Sequence, residues 1–373
     1  MNYPEILFFI GKCLTLDHHP ENIEPVAAAI DDKTVEWEKV VQLSSGQLVL
    51  PALYLNLKRA SLLEKLPEEL TEYLEYLTNE NRNRNKQILQ QVDDISEILK
   101  SENIQPVFLK GVAHLLLNLY NDPAERMIGD IDFLVKNEDH VQKAAKLMMR
   151  NGYEPLVEYN PFIHGKMKHF PRMKNYNYSA AVEIHREVVL SPYHNKFHAT
   201  RIYNSRQQVE KKQNAFIPSI ENQIIHNMLN AQVNDKAYRN FTVHLRPVYD
   251  LFLLSKKENA AEVLNEFGKY EKRSNSYLAV ASKVLGINSN IEHKKNFYIN
   301  FYMRWMLLLL KHSRLQRIYN YITYFSWRAG RYLTLPLKAI FNKQDRMGLW
   351  YRLSDKNWYG KHIQSYRRFF KNS

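Results

Sequence analysis

Residues 128–135, IGDIDFLV, form the segment that decides the fold. Its residues alternate, so Asp130 and Asp132 project from one face of a predicted β-strand and the apolar residues project from the other. Two neighbouring carboxylates on one face repel each other unless a cation lies between them. The pair therefore predicts a divalent metal site. Its oxygen ligands favour Mg²⁺ or Mn²⁺, the cations used in phosphoryl transfer.

A strand-to-helix junction lies upstream of this pair. Residues 106–110 resemble a short buried strand, and Gly111 opens an apolar helix over 112–120. A glycine at such a junction lets backbone N–H groups approach a phosphate, and Lys110 adds a cation. Arg126, in the loop before Asp130, is placed to bind the same phosphates. Alternatively, Lys110 and Gly111 form an ordinary strand end, and Arg126 pairs with a neighbouring acid, Glu125 or Asp122.

A predicted hairpin lies downstream, over residues 168–189, with its turn near 174–177 and its return strand over 179–188. Between it and the aspartates, an amphipathic helix is predicted over 138–150. Glu183 and His185 share one face of the return strand. A carboxylate on a strand beside the aspartates can complete a two-metal site, whereas an exposed strand acid is the alternative for Glu183. His185 either orients a substrate or packs.

Three segments together resemble a known family: residues 108–115 (FLKGVAHL), 120–126 (YNDPAER) and 129–135 (GDIDFLV). They are similar to the signature of the uncharacterised bacterial nucleotidyltransferase family in the polymerase-β-like superfamily. More remotely, the chain resembles the abortive-infection AbiEii-type nucleotidyltransferases. The resemblance covers most of the chain, with outlying matches that include residues 182–185 and 245–250. The superfamily commonly has Gly-Ser where this chain has Lys110 and Gly111.

The resemblance also implies roles for individual residues. The implied metal ligands and catalytic groups are Asp130, Asp132 and Glu183, with Glu183 favouring the deprotonated acceptor. The implied nucleotide-binding residues are Lys110, Gly111 and Arg126, to which the shared strand face adds His185.

The implied reaction is transfer of a nucleoside monophosphate from an NTP, with ATP the expected donor, onto a hydroxyl, with pyrophosphate as leaving group. The acceptor is left open among a small molecule, a protein side chain and an RNA end. The alternative from another class is a non-catalytic nucleotide-sensing or antitoxin-like binding protein that keeps the fold.

The helical pattern on either side of these strands predicts an α+β fold with three parts. A polymerase-β-like nucleotidyltransferase core over residues 101–195 follows an N-terminal helical unit over 1–100. A C-terminal helical unit follows over 196–373, because helical spacing of apolar residues returns beyond about residue 215.

Composition limits the compartment. Cys13 is the only cysteine, so no intramolecular disulfide is possible and a reducing environment fits. The apolar run at residues 6–10 is too short for a signal sequence, and the run at 305–310 is far shorter than a membrane span. We therefore expect a cytoplasmic protein with no transmembrane segment.

Positive charge is concentrated at the C-terminal end. The chain has a net charge of +13, and residues 293–373 contain 17 Lys and Arg against two acids. Four tryptophans lie among these cations: Trp305, Trp327, Trp350 and Trp358. Three interpretations stay open for this tail: a packed helical cap, a nucleic-acid-binding surface, and a surface that contacts an anionic membrane.

Overall fold

The computed structural model describes residues 1–165, 167–191, 193–287 and 289–355, together with 359, 360, 363, 364 and 367. Trp358 of the predicted aromatic tail lies outside these residues. In this part of the chain the α-helices are α1 Tyr3–Cys13, α2 Ile23–Asp31, α3 Trp37–Gly46, α4 Leu50–Arg59, α5 Glu68–Lys100, α6 Lys110–Leu116, α7 Glu138–Arg150, α8 Pro161–His164, α9 Ala199–Asn204, α10 Ile220–Leu229, α11 Ala237–Asn240, α12 Leu245–Ser255, α13 Ala260–Phe267, α14 Glu271–Leu285, α15 Phe297–Lys311, α16 Ser313–Phe341 and α17 Lys343–Ser354.

A mixed β-sheet lies between the helices, in the order β3-β4-β5-β2-β1-β7-β6. The pairs β2–β5 and β1–β7 are parallel, and the other neighbours are antiparallel. This sheet with its helical flanks confirms the predicted α+β class. The strands within the described residues are β1 Val107–Phe108, β2 Asp130–Leu134, β3 Glu154–Pro155, β4 Met173–Lys174, β5 Ala181–His185, β6 Gln207–Gln208 and β7 Phe216–Ile217.

The elements around the predicted aspartates form where their periodicity places them. Strand β2 occupies the predicted segment, and β4 with β5 forms the predicted hairpin. Helix α7 has the predicted bounds because Asn137 caps its start, accepting a hydrogen bond from the His140 amide at 3.0 Å. It ends before Gly152, whose φ of +81° suits glycine. The β6–β7 hairpin was not predicted, since strands of two residues show no alternation.

Helix α5 holds the loop before β2. It is one continuous helix of 33 residues, and Pro67 precedes its first turn. From its buried face, the Asn81 amide donates to the Ala124 carbonyl at 2.6 Å, and the Asn85 amide donates to the Arg126 carbonyl at 2.8 Å. These bonds satisfy loop carbonyls away from water, so they fix the backbone from which Arg126 projects.

One cluster of buried apolar side chains runs through the described residues from Ile6 to Leu310. Helix α1 crosses α14 closely, and a Cβ at Gly11 would lie 2.1 Å from the Val284 carbonyl oxygen. Only glycine permits that approach. Helices α16 and α17 add only Ala339 to the buried apolar residues among those described. No helix in the described part of the chain has the length and apolar character needed to cross a membrane.

Candidate active site

The parallel pairing of β2 with β5 aligns the acidic residues. In the observed register Asp132 lies opposite Glu183, and Leu134 lies opposite His185. Side chains at paired positions of neighbouring strands project to the same face of the sheet. The sheet therefore places the carboxylates of Asp132 and Glu183 side by side, although 50 residues separate them in sequence.

Three side chains converge at this position: Asp132, Glu183 and His185. Their nearest ligand atoms lie within 4.8 Å of one another. His185 Nε2 is 2.8 Å from Asp132 Oδ1 and 3.6 Å from Glu183 Oε2. His185 is fully buried, Asp132 is buried, and Glu183 is partly exposed.

The contact made by the other ring nitrogen of His185 determines the tautomer of the imidazole. His185 Nδ1 lies 3.1 Å from the Glu187 backbone carbonyl, which can only accept a hydrogen bond. Nδ1 therefore carries the proton, and Nε2 of a neutral ring presents a lone pair to the carboxylates of Asp132 and Glu183. That arrangement needs a proton or a metal cation between the groups. An imidazole nitrogen oriented by a backbone carbonyl, beside two carboxylates, fits a divalent cation.

Lys110 reaches the same carboxylate from the start of α6. Its Nζ lies 2.5 Å from Asp132 Oδ1, and its backbone has a φ of +53°. The Leu109 amide, one residue earlier, donates to the Asp132 carbonyl at 2.9 Å. Burial alone would raise the pKa of Asp132, but Lys110 and His185 hold that pKa well below its usual range. Asp132 is therefore ionised at neutral pH.

Asp130 and Glu183 meet cations from the hairpin. Arg172 forms an ion pair with Asp130, and its Nε lies 3.9 Å from Glu183 Oε1. His169 Nε2 lies 3.7 Å from Glu183 Oε2. Burial works against the Glu183 charge, yet the pKa of Glu183 is lowered overall when His185 Nε2, 3.6 Å from Glu183 Oε2, carries a proton. Asp130 stands beside the group of three and outside it.

A cavity of about 320 Å³ opens beside Lys110. Gly111 packs closely against the Arg126 side chain, because a Cβ there would lie 3.4 Å from Arg126 Cζ and 3.2 Å from Ile128 Cγ1. The titratable residues that line the cavity are Lys110, His114, Arg126, His226, Asp235, His244, Arg246 and Asp250. The sheet and helices α10 and α12 thus bring Lys110 and Arg126 to one cavity.

The partner of Arg126 differs from both acids considered from the sequence. Arg126 Nη2 lies 3.0 Å from Asp250 Oδ2, and both side chains are buried. Glu125 instead binds Arg59 at 3.0 Å, and Asp122 binds Arg82 at 2.8 Å. The alternative considered from the sequence, a pairing of Arg126 with Glu125 or Asp122, is therefore not found. Both acids instead form ion pairs with arginines of helices α4 and α5.

Arg246 and His226 are among the cavity residues that were not predicted from the sequence. Arg246 has no carboxylate within ion-pair distance among the described residues, and burial together with Arg126 lowers its pKa to about 10. His226 is buried, and its Nε2 has no hydrogen-bond partner in the described part of the chain. Burial and Lys110 hold the pKa of His226 well below its usual range. The cavity thus carries positive potential and a neutral polar atom, which suit an anionic ligand. The match at residues 245–250 was the available signal for Arg246.

A larger groove, of about 1290 Å³, also lies near the acidic group. His169 and Glu187 of the hairpin line it on one side, and α16 contributes Trp327 and Lys338 on the other. Its lining contains six cations and one carboxylate: Lys168, Arg186, Lys236, Arg239, Arg273 and Lys338, with Glu187. The acidic group contacts both linings, because Asp132 binds Lys110 of the cavity and Glu183 lies 3.7 Å from His169 of the groove.

A mixed sheet with helical flanks, and paired carboxylates beside a cation-rich cavity, define a protein of the nucleotidyltransferase class. Residues 33–280 match the family described as "Uncharacterised nucleotidyltransferase". Because this match covers more than half of the chain, the chain belongs to that family, and the resemblance found in the sequence is confirmed. None of the curated proteins compared with the chain matches it.

Proposed function

We propose that the protein transfers a nucleoside monophosphate from an NTP, with ATP the expected donor, to a hydroxyl group. The acceptor oxygen bonds to the α-phosphorus, the bond to the bridging oxygen breaks, and pyrophosphate leaves with the electron pair. One observation carries this proposal. Asp132, Glu183 and His185 converge with an imidazole lone pair directed at two carboxylates.

Asp132, Glu183 and His185 would hold a divalent cation. Mg²⁺ or Mn²⁺ bound there supplies positive charge for the phosphates and favours the deprotonated acceptor. Two carboxylates suit either ion, and the imidazole favours Mn²⁺. Asp130 is the further predicted ligand, and Arg172 is its partner in the structure. The backbone carbonyl of Glu187 keeps His185 in the tautomer that a cation requires.

The cavity beside Lys110 suits the donor NTP. Lys110 spans the acidic group and the cavity, so phosphates bound in the cavity would lie next to Asp132. Arg246 and the neutral His226 can bind phosphate oxygens as cation and hydrogen-bond donor. Arg126 is held by Asp250, so we assign it to shaping the cavity and to its positive potential.

The basic groove beside His169 suits the acceptor of the nucleoside monophosphate. Glu183 lies close to the groove. His169 lines the groove, and its Nε2 is 3.7 Å from Glu183 Oε2. A carboxylate at this position can receive the proton of the attacking hydroxyl. The groove's excess of cations favours an acceptor that carries negative charge. A small molecule, a protein side chain and an RNA end all remain open as the acceptor.

Calorimetry with Mn²⁺ or Mg²⁺ and each NTP tests the donor side. We expect metal-dependent NTP binding by the unmodified chain and its loss in Asp132→Asn, because the variant removes the carboxylate shared by Lys110 and His185. Asp139→Asn is the matched control, since Asp139 is exposed on α7 and pairs with Lys143. Equal binding by Asp132→Asn would contradict the site.

Incubation with α-phosphate-labelled NTP and a cell extract tests the transfer itself. Transfer predicts a labelled acceptor and release of pyrophosphate, both lost in Asp132→Asn. Binding without either product would support the non-catalytic nucleotide-sensing alternative.

A further inference from the structure

Helix α16 presents an apolar stripe to solvent. The stripe consists of Ile318, Ile322, Leu333, Leu337 and Ile340, which are between 54% and 72% exposed. At 3.6 residues per turn, these positions fall within a sector about 100° wide. Exposed aliphatic residues scattered singly are ordinary, but a continuous stripe along one helix face marks an interaction surface.

The side of α16 next to the stripe is fixed to the body of the protein. The Gln316 amide donates to the Asn240 carbonyl at 2.8 Å, and the Tyr319 hydroxyl donates to the Arg239 carbonyl at 3.0 Å. The Tyr319 ring packs edge-on against Phe241 at a centroid distance of 5.5 Å. Rotation of the helix to bury its stripe would break these contacts, so the stripe faces outward in the folded chain.

The charge of α16 identifies the occupant of this face. The helix contains five cations and no acid: Arg314, Arg317, Arg328, Arg331 and Lys338. A second copy of the chain docked through the stripe would bring arginines against arginines, which is unfavourable. Nucleic acid would bind the arginines but leave the aliphatic stripe in water. An anionic lipid surface accepts the aliphatic residues below its headgroups and attracts the cations.

We propose that α16 binds the surface of anionic membranes, lying in the interface with its stripe inserted. No helix in the described residues is long and apolar enough to cross a bilayer, so the contact is peripheral. This contact does not depend on the transfer reaction. It would hold the basic groove, which α16 also lines, close to the membrane surface.

Vesicle flotation with the full chain tests the contact. One set of vesicles contains phosphatidylcholine alone, and the other contains about one third phosphatidylglycerol. We expect binding to the anionic vesicles that weakens as salt increases. Leu333→Ser with Leu337→Ser should lower the partition coefficient at least about tenfold, because two inserted side chains are lost.

Leu156→Ser with Val157→Ser is the matched control, since these residues are also about half exposed and lie outside α16. This variant should bind like the unmodified chain. Arg314→Gln with Arg317→Gln should weaken binding to anionic vesicles about tenfold and flatten its salt dependence. Metal-dependent NTP binding should be the same in all three variants, which separates this proposal from the proposed function.

Three results would overturn the proposal. One is absence of binding to both kinds of vesicle. Another is a concentration-dependent dimer, by sedimentation, that the paired serine substitutions abolish; this would assign the stripe to a second copy of the chain. The third is binding to a single-stranded oligonucleotide, without vesicle binding, that survives the paired serine substitutions; this would assign the basic tail to nucleic acid.

Discussion

The environment of charged side chains differs between the region around β2 and helix α16. Near β2, buried and half-buried charges form ion pairs, such as Lys110 with Asp132 and Arg126 with Asp250. Along α16 the helix has cations without any acid, and Arg314 and Arg317 are exposed. An unpaired charge away from water is costly, so the first region is specified by its pairs. In the second region Arg314 and Arg317 keep their contact with water, so their charge needs no ion pair to offset a burial cost.

The same contrast appears in the apolar residues. The continuous buried cluster ends at Leu310, in α15, and the large aliphatic residues that follow in α16 include the exposed stripe. The tail identified in the sequence as one basic unit, residues 293–373, therefore has two parts in the structure. Helix α15 belongs to the folded core, and α16 lies on it.

Truncation tests this division and should have the largest effect on stability. A chain that ends after Glu292 loses the buried residues of α15: Ile299, Tyr302, Met306, Leu309 and Leu310. At roughly 1.5–3 kcal/mol for each buried side chain, the loss is on the order of 10 kcal/mol, comparable to the whole stability of a domain. We expect that fragment to aggregate.

A chain that ends after His312 keeps α15 and is the matched comparison. It should stay monodisperse and melt cooperatively by circular dichroism, and it should lose vesicle binding. A sharp melt of the Glu292 fragment would show that α15 is an appendage. Aggregation of the His312 fragment would show that α16 and α17 cap the core.

Local patterns in the sequence predicted the elements next to the site. Alternation identified β2, helical spacing identified α7, and the β4–β5 hairpin placed Glu183 on a strand that pairs with β2. These signals operate within about fifteen residues, where backbone periodicity and side-chain burial are coupled. The shared strand face also made His185 a predicted site residue. Its place among the possible metal ligands was found only in the structure.

Long-range partners could not be read from the sequence. Asp250 lies 124 residues after Arg126, and α12 brings them together only through packing. The tautomer of His185 depends on a backbone carbonyl. Every residue has such a carbonyl, so the sequence gives no sign of which one His185 contacts. The stripe on α16 was missed because tyrosine and arginine between its members obscure the helical period. The roles of the site residues, and the division into three domains, remain predictions.

Glu183→Gln tests the acidic region by activity. If Glu183 receives the acceptor proton and helps to hold the cation, turnover should fall by at least about a thousandfold, while NTP affinity changes little. The readout is pyrophosphate release together with calorimetric NTP binding. Glu154→Gln is the control, because Glu154 is an exposed glutamate on β3. Turnover within a few-fold of the unmodified chain would remove Glu183 from the reaction.

Asp250→Asn compares a buried ion pair with an exposed one. The variant leaves Arg126 buried without its carboxylate and next to Arg246, so urea unfolding should show a loss of about 3–5 kcal/mol. Lys143→Gln breaks the exposed α7 pair between Lys143 and Asp139 at 3.0 Å and should change stability by less than about 0.5 kcal/mol. Similar losses in both variants would contradict the contrast between the two kinds of region.

The pH dependence of stability gives the smallest predicted effect and tests the cavity without its ligand. Burial lowers the pKa of His114 to about 4, although Asp250 opposes this change. The unfolded chain has an ordinary histidine pKa of about 6.5, so between these values the unfolded state binds more protons. Stability from the neutral imidazole is therefore present above about pH 6.5 and is lost as pH falls towards 4.

The loss from His114 over that window is about 3 kcal/mol, because a tenfold change in proton affinity corresponds to roughly 1.4 kcal/mol. Urea unfolding at intervals of pH measures it, and His114→Gln should flatten the curve by that amount. Carboxylates also titrate in this window, but they contribute equally to both proteins and cancel in the difference. His198→Gln, at an exposed histidine, should give a curve parallel to that of the unmodified chain. Parallel curves for His114→Gln would mean that His114 meets water in the folded cavity, since a hydrated imidazole keeps its ordinary pKa.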